Sequence, residues 1–173
     1  AAAMLEQQGS LVVPATVPQA VLDNLFYVSG ESPRVTSFEP GLPGQFRRTE
    51  DGSGWEPDTL LVDERYVAVR VKDRGVLVFT ACSHAGVVNV MLDARERFPG
   101  SPLFGVMGGF HLSGANERII PETVEALRAF PLTVVAPGHC TGGRATSPLA
   151  PAFGAAVAPS AAGKTYRSAA RGP

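Results

Sequence analysis

The sequence is poor in cysteine and histidine, and these two shortages set the first limits on what the chain can be. Its 173 residues include two cysteines and three histidines. Two cysteines cannot build the disulfide framework of a small secreted domain, so we expect each to be a buried thiol or part of a site. Any site built on histidine has to use the same three residues.

Charge and long apolar runs are also scarce. Charged residues make up 18% of the chain and the formal net charge is −1, which gives no reason to expect nucleic acid or an anionic membrane as a partner. The sequence has no apolar run near the ~20 residues of a membrane span, and no basic segment ahead of a signal-like core. We therefore expect a cytoplasmic protein that binds a small molecule at a local site, with neither nucleic acid nor a membrane as partner.

The apolar content, 45% of residues, is sufficient for the core of a single domain spanning residues 1–173. Residues 29–60 are dense in Gly and Pro turn signals and predict a long functional loop, whereas residues 147–173 predict a partly flexible tail. The first nine residues are rich in helix formers but have no N-cap residue, which is typical of a helix cut through its middle. We therefore expect the chain to be a fragment of a larger protein.

Hydrophobic periodicity predicts an α/β layer in the middle of the chain. Apolar runs predict strands at residues 66–71, 76–79, 103–107 and 132–136, the first two joined as a hairpin. Apolar residues at helical spacing predict helices at 87–98 and 121–130. Less regular patterns predict a strand at 11–13, a strand or short helix at 20–28 and a short helix at 148–157.

All three histidines follow predicted strands within a few residues. His84 follows the strand at 76–79, His111 the strand at 103–107, and His139 the strand at 132–136. Catalytic and metal-binding groups of open α/β layers collect beyond the carboxyl ends of strands. The histidines stand 27 and 28 residues apart (84 to 111 and 111 to 139), so they can meet only through tertiary structure, unlike the ligands of a zinc finger. We therefore predict that His84, His111 and His139 form one metal site.

The two cysteines leave an alternative open. Cys82 lies two residues before His84, and Cys140 follows His139, so these four residues could form a structural Cys2His2 zinc site. Adjacent His139 and Cys140 would point apart in a strand and would need a turn to converge. We expect instead that both cysteines are buried thiols packed under the site.

Three motifs resemble those of a known family. They are Phe79-Thr80-Ala81-Cys82-Ser83-His84-Ala85-Gly86-Val87-Val88-Asn89, Gly108-Gly109-Phe110-His111-Leu112 and Pro137-Gly138-His139-Cys140-Thr141-Gly142. Gly30-Glu31-Ser32-Pro33-Arg34 and Phe38-Glu39 in the long loop add to the similarity. As a set, the motifs resemble the metallo-β-lactamase superfamily, and within it the branch of the 7,8-dihydropterin-6-methyl-4-(β-D-ribofuranosyl)-aminobenzene-phosphate synthases.

The resemblance implies a metallo-β-lactamase-type αββα sandwich with one or two divalent metal ions at the rim between its halves. Zinc is the first expectation for the ion, with iron or manganese as alternatives. His84 and His139 would be ligands, and His111 falls where relatives often carry a bridging aspartate.

The same resemblance implies a metal-dependent hydrolase or transferase. It would act through a metal-activated water or on a metal-polarised phosphoester or pterin-type substrate. The candidate substrate-binding residues are Arg34, Ser83 and Thr141, and no catalytic residue is assigned. Arg34 could bind an anion or pair with Glu31 or Glu39.

One motif of the superfamily is missing. The main ligand motif, His-x-His-x-Asp-His, does not occur in the sequence, and we therefore expect a sandwich without its N-terminal portion that binds metal weakly and supports little or no turnover alone. An incomplete sandwich would expose the apolar face of the 66–71 and 76–79 strands, which favours self-association or pairing with the missing half. The alternative function is a non-catalytic domain that keeps the fold and binds a ligand or a protein through the rim and the 29–60 loop.

Overall fold

A six-stranded mixed sheet lies at the centre of the computed structural model, which describes residues 2–62 and 64–167. The strand order is β1-β2-β5-β6-β7-β8. These strands are β1 (Gln19–Val21), β2 (Phe26–Val28), β5 (Tyr66–Val71), β6 (Gly75–Thr80), β7 (Leu103–Gly108) and β8 (Val134–Pro137). A separate two-stranded sheet consists of β3 (Phe46–Arg48) and β4 (Trp55–Pro57).

Within the described ranges, the sheet is accompanied by four α-helices: α1 (Ala2–Gln7), α2 (Val87–Arg97), α3 (Ile120–Leu127) and α4 (Gly143–Phe153). Short 3-10 helices span Gly114–Ile119 and Gly154–Ala156. Across residues 2–62 and 64–167, no helix combines the length and the apolar character that crossing a membrane requires.

The direction of the strands brings three loops to one edge. β5 and β6 form an antiparallel hairpin, whereas β6, β7 and β8 run parallel to one another. Parallel neighbours need crossover connections, and α2 lies between β6 and β7 while α3 lies between β7 and β8. The carboxyl ends of β6, β7 and β8 therefore open onto the same edge of the sheet.

The main core lies between one face of the sheet and α2, α3 and α4. Val76 and Val78 of β6, Val106 of β7 and Val135 of β8 are all fully buried on that face. On β6, Leu77 and Phe79 point to the opposite face, where Phe79 is 38% exposed. The sheet is thus well covered on one side and more open on the other.

A short segment after α4 covers the outer edge of β8. Val157 forms an isolated parallel bridge with Val135. The N–H groups of Ala158 and Ser160 donate to the carbonyls of Val135 and Pro137, both at 2.9 Å. Backbone groups that an edge strand would leave open are therefore paired within the chain.

The strongest predicted elements are confirmed, and the weaker ones need correction. Residues 11–13 are not a strand, because nothing pairs with them and Leu11 is 89% exposed. The ambiguous segment at 20–28 is a hairpin of β1 and β2, turned by residues 22–24 in left-handed conformations. The helix expected at 148–157 begins earlier, at Gly143.

The two segments set apart in the sequence are partly ordered. The predicted long loop at 29–60 contains the β3–β4 hairpin and is otherwise irregular. The predicted tail at 147–173 contains the second half of α4 and the segment that pairs with β8. Residues 168–173 of that tail lie outside the described part of the chain.

A buried hydrogen bond ties β5 to α2 and gives a first stability prediction. The Tyr66 hydroxyl donates to Asp93 Oδ2 at 2.7 Å, and burial together with this carboxylate raises the pKa of Tyr66. We expect Tyr66→Phe to lower the free energy of unfolding by about 1–3 kcal/mol, because the buried carboxylate loses a donor. Urea denaturation followed by circular dichroism measures the change.

Tyr27 provides the matched control. Its ring lies 6.1 Å from that of Tyr66, yet its buried hydroxyl has no hydrogen-bond partner in the described part of the chain. Tyr27→Phe should therefore not lower the free energy of unfolding, because it removes a buried hydroxyl that has no partner. Equal losses in the two variants would show that the Tyr66–Asp93 hydrogen bond contributes nothing specific.

Candidate metal centre

Five side chains meet beyond the carboxyl ends of β6, β7 and β8, and we call them the strand-end cluster: Cys82, His84, His111, His139 and Cys140. Their potential ligand atoms fall into two overlapping groups, each with all atoms within 4.8 Å of one another. Cys82, His84 and His111 form one group, and Cys82, His139 and Cys140 form the other. The structure therefore brings all three predicted histidines to one edge, with Cys82 between them.

Glu64, which the sequence analysis did not single out, fixes the backbone of the loop that carries His84. The Glu64 carboxylate accepts hydrogen bonds from the backbone N–H groups of Cys82, at 2.6 Å, and of His84. Glu64 Oε1 also lies 3.9 Å from His84 Nδ1, which leaves Nε2 on the far side of the ring. The antiparallel β5–β6 hairpin pairs Tyr66 with Thr80. Glu64, two residues before Tyr66, therefore lies opposite Cys82, two residues after Thr80. This register is the feature from which the contact could have been predicted.

His111 has a left-handed backbone, with φ of 45°, and is held from several sides. Its N–H donates to Cys140 Sγ at 3.1 Å and its carbonyl accepts from Asn116 Nδ2 at 3.1 Å. Its ring Nδ1 lies 3.1 Å from Cys82 Sγ, and its ring centroid lies 4.8 Å from that of His84. Burial, and then the neighbouring His84, lower the pKa of His111. The lowered pKa favours the neutral imidazole, which is the form that binds a metal.

His139 and Cys140 converge because of a turn. The Thr141 N–H donates to the Gly138 carbonyl at 3.1 Å, so the backbone leaves the extended conformation in which neighbouring side chains would point apart. The exposed His139 ring lies over Gly109, where an added Cβ would be 2.7 Å from Nε2. A residue without a side chain is therefore needed beneath this imidazole.

The two cysteines are free, half-buried and in contact. Their Sγ atoms lie 2.8 Å apart. Burial, followed by the neighbouring Cys140, raises the pKa of the Cys82 thiol. Because their Sγ atoms belong to the groups of potential ligand atoms, the cysteines lie within the cluster rather than beneath it.

The three predicted substrate-binding residues make internal contacts in this structure. Ser83 and Thr141 are buried; Ser83 Oγ donates to the Gly109 carbonyl at 2.8 Å, and Thr141 Oγ1 accepts from the Phe110 N–H at 3.2 Å. Arg34 lies 3.8 Å from Glu31 and donates to the Leu60 carbonyl. These contacts hold the strand-end loops and the long loop, and a role in substrate binding stays a prediction.

A small cleft opens beside His84 and His111, and the long loop forms one of its walls. Glu39, Pro40 and Gly41 line it from the loop side. Glu39 is buried, and its carboxylate accepts hydrogen bonds at 2.9 Å from the N–H groups of Val88 and Asn89 in the first turn of α2. Glu39 therefore docks the long loop against the helix that follows His84.

The ligand atoms of the cluster fit a divalent ion that is intermediate between hard and soft, such as zinc. Imidazole and thiol ligands suit zinc better than magnesium or calcium, which prefer oxygen ligands. The bare backbone at Gly109 accommodates the His139 ring, and Glu64 orients the His84 loop as the supporting residues of metal sites commonly do. Among the described residues, no single group contains both His84 and His139, so neither the predicted three-histidine site nor the Cys2His2 alternative has all its ligand atoms within 4.8 Å of one another.

Comparison with known proteins gives two curated relatives. A 7,8-dihydropterin-6-methyl-4-(β-D-ribofuranosyl)-aminobenzene-5'-phosphate synthase of Methanocaldococcus jannaschii is 32% identical over 83 residues, which are 48% of this chain and 28% of that protein. An uncharacterised protein of the same organism is 29% identical over 128 residues, which are 74% of this chain and 44% of that protein. The chain thus spans less than half the length of either relative, and no protein-family model matches it.

The fold has a counterpart among solved structures. The crystal structure of a metal-dependent hydrolase of the β-lactamase superfamily matches with a TM-score of 0.75 and 27% sequence identity. The match covers 92% of this chain and 58% of that one. Fold, strand-end motifs and sequence similarity agree: the chain has the fold of the metallo-β-lactamase superfamily and resembles its dihydropterin ribofuranosylaminobenzene-phosphate synthase branch.

Proposed function

We propose that this chain is part of a metal-dependent hydrolase or transferase whose metal site is the strand-end cluster. The observation that carries the proposal is the approach of His84 and His111, with ring centroids 4.8 Å apart, at the edge where three parallel strands end. Zinc is the ion we propose, with iron or manganese as alternatives, because imidazole nitrogens dominate the donor set.

The protein groups around the histidines define which ligand atoms are available. Glu64 faces Nδ1 of His84 and Cys82 Sγ faces Nδ1 of His111, so Nε2 of each ring is the atom presented to an ion. His139, on the loop after β8, belongs to the second group, with Cys82 and Cys140, and we propose it as a further ligand. When bound, a divalent ion would polarise a phosphoryl or carbonyl oxygen and lower the pKa of water toward ~7.

The substrate we propose is a small phosphoester or pterin-type molecule. The name of the curated synthase contains both a pterin and a phosphate, and the cleft beside His84 and His111 has apolar walls from Phe110, Leu112 and Ile119. Arg34, Ser83 and Thr141 remain the proposed substrate-binding residues.

Turnover of a chromogenic phosphodiester, bis(p-nitrophenyl) phosphate, tests the proposal. We expect zinc- or manganese-loaded protein to hydrolyse it slowly, with activity lost on chelation and in His84→Ala. A β-lactam and a reduced pterin phosphate would be assayed in parallel.

The turnover assay, together with a measurement of metal binding, has three informative outcomes. Full enzymatic turnover would overturn the expectation that this chain alone has little activity. Metal binding with no hydrolysis of any substrate would favour the non-catalytic binding domain. Failure to bind zinc or manganese in isothermal titration calorimetry would overturn the metal site itself.

A further inference from the structure

We infer that Cys82 and Cys140 form a reversible disulfide, which makes the strand-end cluster a site of oxidative modification. Their Sγ atoms lie 2.8 Å apart, and a disulfide needs ~2.05 Å. Closing the remaining distance requires a shift of roughly 0.8 Å, within reach of small side-chain rotations. They are the only cysteines in the sequence, so no other pairing within one chain competes.

The two thiols come from loops that are not neighbours in the sheet. Cys82 follows β6 and Cys140 follows β8, and β7 lies between these strands. A bond between the sulfurs would therefore bridge across the end of β7 and join two loops that each carry a histidine. Both thiols are half-buried rather than enclosed, which leaves access for a small oxidant.

His111 is the residue that such a bond would affect most. Its ring Nδ1 contacts Cys82 Sγ, and its N–H donates to Cys140 Sγ, both at 3.1 Å. Bond formation pulls the two sulfurs toward each other and alters both of these contacts. It also removes two thiol donors from the groups of potential metal ligands.

The oxidant we name is a low-molecular-weight disulfide such as oxidised glutathione. One thiolate attacks the glutathione disulfide and releases one reduced glutathione, leaving a mixed disulfide on the protein. The second cysteine then attacks the mixed disulfide and releases the second glutathione. Two protein thiols are oxidised, one glutathione disulfide is reduced to two thiols, and no further electron acceptor is needed.

The test equilibrates metal-free protein in glutathione buffers of defined composition, then blocks remaining thiols with N-ethylmaleimide and measures intact mass. We expect the native chain to pass from two alkylated thiols to none, as a monomer lighter by two hydrogen atoms. The same chain unfolded in urea should need at least about a tenfold higher proportion of oxidised glutathione to reach half-oxidation, because the fold no longer holds the sulfurs together.

The Cys82→Ser variant tests the order of events. Cys140 should then retain one glutathione, since no second thiol can displace it. A native wild-type chain that stays reduced in every buffer, keeps two glutathiones or forms disulfide-linked dimers would overturn the inference. So would equal behaviour of the native and urea-unfolded chains.

Discussion

Replacing His84 and His139 together by alanine is expected to weaken zinc binding at least about a hundredfold, because each substitution removes an imidazole ligand. The two residues belong to different overlapping groups of the strand-end cluster, so the double variant reduces both groups to two potential ligands. Competition with a chromophoric chelator at neutral pH measures the affinity, and mass spectrometry of protein purified without added metal gives the content.

The control for this experiment comes from outside the cluster. Arg47→Ala removes an exposed ion pair with Glu56 in the β3–β4 hairpin and should leave zinc affinity unchanged. Unaltered affinity in the double histidine variant would overturn the histidine site. Negligible metal in the wild type would mean that the cluster is not a metal site in this chain.

The cysteines separate the histidine site from the structural zinc alternative. Cys82→Ser combined with Cys140→Ser should release metal and unfold the domain if zinc is structural, because a structural zinc ion supplies folding free energy. The histidine site predicts retained metal and a cooperative unfolding transition. Thermal unfolding with and without a chelator distinguishes the two results.

Gly86→Ala is expected to lower the free energy of unfolding by about 4 kcal/mol, the largest single stability effect we predict. Gly86 precedes α2 with φ of 99°, where a side chain is strained, and an added Cβ would lie 2.0 Å from the Glu39 carboxyl carbon. The Glu39 carboxylate would have to leave the two N–H groups that it caps. Loss of these charge-assisted hydrogen bonds adds to the backbone strain.

Gly100 is the matched control for this substitution. It also has a positive φ, 75°, but an added Cβ there meets no atom within 4 Å. Gly100→Ala should therefore show only the backbone penalty of about 1–2 kcal/mol. Guanidinium unfolding of both variants measures the difference. Equal decreases in the free energy of unfolding would show that the contact with Glu39 does not contribute to the effect of Gly86→Ala. A released loop should also make Gly86→Ala more sensitive to proteolysis within residues 29–60.

The sequence predicted the layer that carries the site because its signals are local. Residues 66–71 follow the alternating pattern expected for a strand with one buried face. The continuous apolar runs of β6, β7 and β8 are typical of buried strands. The general position of ligands beyond strand ends then placed the three histidines together. By contrast, residues 11–13 have strand-like composition but no partner strand, and local pattern contains no information about partners.

Long-range contacts explain what the sequence did not predict at the site. Glu39 contacts the N–H groups of residues 88 and 89, about fifty positions away, and no spacing rule links them. Glu64 could have been placed from the β5–β6 register, but only once that register was known. The contact between Cys82 and Cys140 depends on the turn at residues 138–141, which the pattern left open.

The segment at residues 157–160 has a consequence for how copies of this chain could meet. It occupies the outer edge of β8, and the opposite edge strand, β1, has only three residues. Exposed edges are the usual template for adding strands from another molecule, and both edges here offer little to pair with. For the six-stranded sheet, the surface left for contact between copies is therefore the open face around Phe79 rather than either edge, and side-chain packing there does not extend the sheet strand by strand.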